Sequence, residues 1–251
     1  VIWSIWLDLE LLAIIVIVFG AGIISGLAAF GFALVAVPPL LLFYDPPTVT
    51  TLCLLLVMVT RIVVLKEVFR DVEWRTVASI LPTALVGTFI GLAMLRDLDS
   101  SVIELMAGLA VVFSALALLA GWRIPGADSR PANPVTGLFS GILSTTIGMA
   151  GPPIILLFST RRYATHIFRG TMTVIFYILS FASLAQLARD DLIGRDAIRT
   201  TLVLLPAATV GTIVGQRSLR HISVSQFQRL VLVLLVITGS IGILSALSHL
   251  I

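Results

Sequence analysis

Charge is what this sequence lacks most. Only 12% of its 251 residues are Asp, Glu, Lys or Arg, against 59% hydrophobic, whereas a soluble domain carries about a quarter charged residues. So little polar surface cannot cover a water-facing globule, which excludes a soluble enzyme, and the apolar content excludes a disordered chain. Cysteine is nearly absent: Cys53 stands alone inside an apolar run, so neither an intrachain disulfide nor a cysteine cluster for zinc can form. The three histidines, His166, His221 and His249, are scattered without acidic helical partners, and no His-Glu-x-x-His occurs, which argues against a metal site. No cofactor is implied. Lysine or arginine runs with interleaved aromatics are missing too, so the net charge of +3 reads as membrane topology and not as a nucleic-acid surface. The chain opens on Val1; further residues are expected before it, and no cleavable signal peptide is evident.

What the sequence has in abundance is apolar length, with a mean hydropathy of +1.13. Apolar runs fall at about 11–29, 33–43, 48–65, 76–95, 101–121, 134–158, 170–188, 200–216 and 226–247. At ~20 apolar residues per transmembrane helix, the chain has room for seven or eight passes and no sizeable extramembrane domain. It reads as an all-α integral membrane protein whose first partner is the lipid bilayer; its oligomeric state is left open. The longest polar connector, 123–133, is rich in Pro, Gly and Ser and reads as a linker between a first repeat (1–122) and a second (134–251).

The halves resemble each other. Gly22 to Ser25-Gly26 matches Gly137 to Ser140-Gly141 at an offset of 115, which also carries Pro38 onto Pro153 and Phe43 onto Phe158. At an offset of 124, Leu81-Pro82 through Gly87 and Gly91 matches Leu205-Pro206 through Gly211 and Gly215, and Arg75, Thr76 and Arg96 fall on Arg199, Thr200 and Arg220. Each repeat would hold about four hydrophobic elements. If all of them span, the basic loop residues divide almost evenly between the two sides. If the first element of each repeat is re-entrant, one side collects Lys66, Arg70, Arg75, Arg123, Arg130, Arg161, Arg162, Arg169, Arg217 and Arg220, and the other keeps Arg96, Arg189, Arg195 and Arg199. The second division fits the positive-inside bias. Three full spans per repeat make the repeats inverted, as in many secondary transporters.

Residues 11–43 would reach ~50 Å as one helix, so a break is required. It is expected at Phe30-Gly31-Phe32, and in the second half at Thr145 to Pro153. Irregular backbone at membrane depth survives only where protein buries it or a watery cavity lines it, and a new helix N-terminus favours an anion. These features predict a midplane site where two broken or re-entrant elements meet. The residues expected to bind substrate are Phe30, Gly31, Thr50, Thr51, Thr145, Thr146, Gly148, Gly151, Arg169 and Thr171, with Arg61 a further candidate. Threonine hydroxyls would complete an anion cage, although in helices they often bond their own backbone. Arg169 stands before Gly170-Thr171 at an expected helix start, and guanidinium matches an oxyanion through paired donors. Arg61 lies five residues before Lys66, near enough to a helix end to snorkel. Arg229 and Glu104 read as interfacial, Gln186 as a helix–helix bond, and Gly87-x-x-x-Gly91 and Gly211-x-x-x-Gly215 as packing motifs. A serine nucleophile at Ser25 or Ser140 would need a base within hydrogen-bond reach. No histidine sits mid-span, and an enzyme is not expected.

The stretch Gly26-Leu-Ala-Ala-Phe30-Gly31 to Pro38, its partner Ser140-Gly141 to Pro153, and Arg169-Gly170-Thr171 resemble the sulfite exporter TauE/SafE family over nearly the whole chain. Members often carry a run of two or three glycines where this chain has Gly31-Phe32-Ala33 and Gly148-Met149-Ala150-Gly151. The resemblance implies a multi-pass protein of the bacterial inner membrane that exports sulfur oxyanions or small organic sulfonates. The alternatives are another small-anion transporter or channel, for carboxylates or halides, and a non-transporting membrane protein whose breaks serve packing alone.

Overall fold

The computed structural model describes residues 2–123, 125–161 and 163–218. They form nine α-helices with no strand among the described residues: α1 (Ile2–Ala28), α2 (Phe32–Leu40), α3 (Pro46–Val68), α4 (Trp74–Asp97), α5 (Ser100–Leu119), α6 (Ala132–Ile147), α7 (Gly151–Arg161), α8 (Thr165–Arg189) and α9 (Arg195–Ser218). Among the described residues, five stretches are long and apolar enough to cross a membrane: Leu9–Ala28, Trp74–Asp97, Ser100–Ala117, Thr165–Arg189 and Arg195–Ser218. The protein is therefore an all-α membrane protein. The apolar run at 226–247, with Arg162, Arg220, His221, Arg229 and His249, lies outside the described residues.

The two long apolar stretches at 11–43 and 134–158 each divide into a longer helix and a shorter one. α1 stops at Ala28, and the chain turns through Ala29 and Gly31, both left-handed at φ 64° and 92°. α6 stops at Ile147, where left-handed Gly148 (φ 69°) lets the Met149 amide reach back 3.0 Å to the Leu143 carbonyl. That contact closes a helix end in the Schellman manner. α7 then starts with Gly151-Pro152-Pro153, in its first turn, where a missing amide hydrogen breaks no helix bond. Side-chain caps fix other starts: Asp45 accepts from the Thr48 amide at 3.2 Å, and Glu73 from the Thr76 amide at 2.9 Å. α8 begins at Thr165, five residues before the apolar run at 170. Arg169 and Thr171 consequently sit in its second turn rather than at a helix start.

Glycine faces bring two helix pairs into backbone contact. On α1 and α9, a methyl group at Gly22 would stand 2.7 Å from the Ala208 carbonyl oxygen; one at Gly26 would overlap the Thr212 carbonyl, and ones at Gly211 and Gly215 those of Phe19 and Ile23. On α6 and α4, Gly137 and Gly141 meet the carbonyls of Ile80 and Ala84, while Gly87 and Gly91 meet those of Leu138 and Ile142. Residue numbers rise together along each pair, so both pairs run parallel. Such small-residue faces let membrane helices approach closely enough for dispersion to hold them.

Polar contacts mark the two ends of the bundle. At one end Arg161 Nε donates to the Ala127 carbonyl at 3.0 Å, Tyr163 and Thr76 share a 3.0 Å hydroxyl contact, and Glu73 donates its amide to Thr171 Oγ1 at 3.0 Å. At the other, Arg96 and Asp190 pair at 2.6 Å.

Candidate functional site

Both helix breaks open on one cavity of about 30 Å³, more than the ~10–15 Å³ that one water needs. Gly31 and the first turn of α2 form one wall, and Gly148 to Gly151 the facing one. Arg61 from α3, Ser144 from α6, and Phe176 and Ser180 from α8 complete it, with Leu54 and Val57 as apolar floor. The α2 backbone contributes its own polarity. Its first intrahelical bond runs from the Val35 amide to the Gly31 carbonyl at 3.1 Å, so the amides of Phe32, Ala33 and Leu34 have no partner within the helix. All three residues line the cavity, at the positive end of the helix dipole. α7 offers less, because Pro152 and Pro153 carry no amide hydrogen.

Among the described residues, Arg61 is the only charged side chain in that lining. It does not snorkel outward: the residue is 2% exposed, and Nη2 donates to Ser25 Oγ at 2.8 Å. The guanidinium carbon lies 5.9 Å from the centre of the Phe176 ring, within cation–π range. Among the described residues, nothing accepts from Nε or Nη1. A fully buried cation with two unsatisfied donors is expensive in an apolar protein, and an oxyanion is the chemistry that would satisfy both.

The other expected residues surround this cavity without lining it. Arg169, 9% exposed, donates from Nη1 to the Leu27 carbonyl at 2.6 Å and from Nη2 to the Gly26 carbonyl at 3.3 Å. It thereby caps the last turn of α1. Phe30 packs edge-on against Phe168, with ring centroids 5.8 Å apart. Thr50 donates to the Thr146 carbonyl at 3.3 Å, and Thr146 to the carbonyls of Gly91 at 3.0 Å and Ile142 at 2.9 Å. Thr145 and Ser144 both reach Ser183, at 2.7 Å and 3.1 Å. These hydroxyls tie the end of α6 to α3, α4 and α8. Thr51 is fully buried, its hydroxyl without a partner among the described residues, and Thr171 caps the entry to α4. Gln186 makes the expected interhelical bond, to Thr88 at 2.7 Å.

Sequence reasoning weighed Ser25 only as a nucleophile, and passed over Ser144, Phe176 and Ser180. A signal existed on α8: Thr173, Phe176, Ser180 and Ser183 recur at steps of three and four, the spacing of one helix face. All four are buried.

Comparison with known proteins adds the decisive observation. The family model of the sulfite exporter TauE/SafE matches residues 14–241, which includes every element that builds the cavity. The chain belongs to the sulfite exporter TauE/SafE family. Among its relatives, a protein of Comamonas testosteroni named "Probable inner membrane transporter protein TsaS" is 30% identical over 179 residues, 68% of this chain and 72% of the relative. A second, "Probable sulfite/organosulfonate exporter TauE" of Cupriavidus necator, is 23% identical over 184 residues, 71% of this chain and 72% of the relative. No solved structure matches. As a TauE/SafE member the protein is a membrane transporter and not an enzyme, and it lies in the inner membrane as a multi-pass protein.

Proposed function

We propose that the protein is a secondary transporter that exports small sulfur-containing anions, such as sulfite or organic sulfonates, by alternating access around the cavity between the two helix breaks. The observation that carries this reading is Arg61, buried and short of two acceptors, in a cavity whose other polar groups are amides and hydroxyls. The family's description and the name borne by the Cupriavidus necator relative favour sulfur oxyanions over other anions of similar size. In this reading the anion meets Arg61, the amides of the first α2 turn, and Gly148 and Gly151. Arg169, Phe30, Thr50, Thr51, Thr145, Thr146 and Thr171 hold the frame around it.

The same reading takes the two halves as inverted repeats, with α1–α2 and α6–α7 as re-entrant hairpins. The packing supports it. α9 starts beside the Arg96–Asp190 end of the bundle and runs away from it, and α1 runs parallel to α9. α2 then leads into α3, whose far end at Val68 lies by Gly170, at the opposite end of the bundle. The first hairpin would therefore enter and leave by the Arg96–Asp190 end. α6–α7 would do so by the other, where Arg161 returns to Ala127 in the 120–131 connection. Hairpins entering from opposite faces would let one repeat rock against the other while the site stays fixed.

Sulfite and sulfoacetate flux in proteoliposomes tests the proposal. Saturable flux above that of empty liposomes is expected. Arg61→Gln should lower it by about tenfold or more, since a hydrogen bond to a charged group contributes ~1.5–3 kcal/mol. Undiminished flux in correctly folded Arg61→Gln protein would remove the anion from this cavity. Inhibition by acetate or chloride stronger than by sulfonates would transfer the site to a carboxylate or halide.

A further inference from the structure

In alternating access the site must close to both faces on every half-cycle, and the charge inside it decides which half-cycles are fast. Arg61 is closed off here, at 2% exposure. Among the described residues its partners are one serine hydroxyl, at 2.8 Å, and the face of Phe176. Neither carries a compensating charge. Among the described residues no Asp, Glu or His lines the cavity, and the second buried cation, Arg169, converges on the same last turn of α1. Water in the cavity would satisfy the free donors Nε and Nη1 but not the charge, and a buried charge without a counter-charge is strongly disfavoured. An anion seated against Arg61 supplies both acceptors and charge.

We infer that the protein works as an anion exchanger: the hairpins change face readily with an anion on Arg61, and return readily only when a second anion takes its place. This rests on the proposed anion transport through the same cavity. Net export of the sulfur anion then draws in a small counter-anion from the other side, and the return of the unloaded carrier is the slow step of the cycle. A transporter with a carboxylate facing Arg61 would lack this property, because the internal ion pair would neutralise the unloaded site.

The test is trans-acceleration. Proteoliposomes holding the full chain are loaded with unlabelled sulfite, with chloride, or with a bulky impermeant buffer anion, and the membrane potential is clamped. Entry of radiolabelled sulfite is then measured at alkaline pH, where sulfite keeps its charge and does not cross lipid by itself. Internal sulfite is expected to raise the initial rate by about tenfold or more over the bulky buffer, the ratio that ~1.4 kcal/mol of extra barrier for the unloaded return produces. Chloride should accelerate entry to the extent that it fits the site. Saturable entry at one rate, whatever is loaded inside, would overturn the exchange inference and leave anion transport standing. No entry under any loading, from folded protein, would overturn both. In Arg61→Gln protein the ratio of exchange to net entry should fall towards one. Acceleration undiminished by that change would separate the exchange from Arg61 and overturn the mechanism proposed for it.

Discussion

Ala29 holds a left-handed backbone, φ 64°, without being glycine, and is 1% exposed at the tip of α1. An L-residue in that region costs roughly 1–2 kcal/mol relative to its right-handed conformation. Ala29→Gly removes the strain and adds some unfolded-state entropy, so stability should rise by up to about 1 kcal/mol. Ala29→Val should lower it by more than that, since a branched side chain is worse at positive φ. Thermal unfolding in detergent checks both; a melting point clearly below wild type for Ala29→Gly would show that the turn needs the methyl group for packing. Arg169 tests the opposite situation. Its guanidinium holds the Leu27 and Gly26 carbonyls, and Arg169→Ala should destabilise the protein by about 2 kcal/mol or more, the scale of hydrogen bonds to a charged group. The sequence displayed both arginines as basic residues near helix ends. It did not display which one turns into the cavity, because that depends on helix faces and on where α8 begins.

At the scale of elements, the glycines divide into those that touch a neighbouring backbone and those that do not. A methyl group on Gly141 would overlap the Ala84 carbonyl, whereas one on Gly20 meets nothing within 4 Å. Gly141→Ala should therefore push α6 off α4 and cost about 1–3 kcal/mol, the usual scale of overpacking. Gly20→Ala should be neutral or stabilising by up to ~1 kcal/mol, because alanine is the better helix former. Comparing the melting points of the two variants decides it, and equal effects would mean that the close approach contributes nothing. The packing motifs were legible because glycines four apart mark one helix face. The breaks were legible too, since glycine and proline interrupt runs too long for one span. The start of α8 was not: hydropathy marks where a helix enters apolar surroundings, and Thr165 to Phe168 precede that point while already helical.

On the scale of the whole molecule, the fold class followed from composition, since a chain so poor in charge can satisfy its backbone in lipid only as helices or as a closed barrel. Orientation rests on weaker signals. Among the described residues no carboxylate lines the cavity, and partly buried Glu104 has an oxygen that none of them partners. If coupling runs through the substrate and not through a protein carboxylate, flux should survive Glu104→Gln; its abolition would make α5 a proton or cation path. Topology admits a sharper test. Basic residues gather at the bundle end that holds Arg70, Arg75, Arg123, Arg130 and Arg161, while Asp45 starts α3 at the other, ~34 Å away along a 23-residue helix. By the positive-inside bias, a cysteine replacing Arg161 should react with an impermeant thiol reagent only from the cytoplasmic face, and one replacing Asp45 only from the periplasmic face. Cys53 is buried and should not compete for the label. Both sites reacting from one face would make the number of crossings between them even. The inverted arrangement would then fall, because in it three full crossings, α3, α4 and α5, would separate the two re-entrant hairpins.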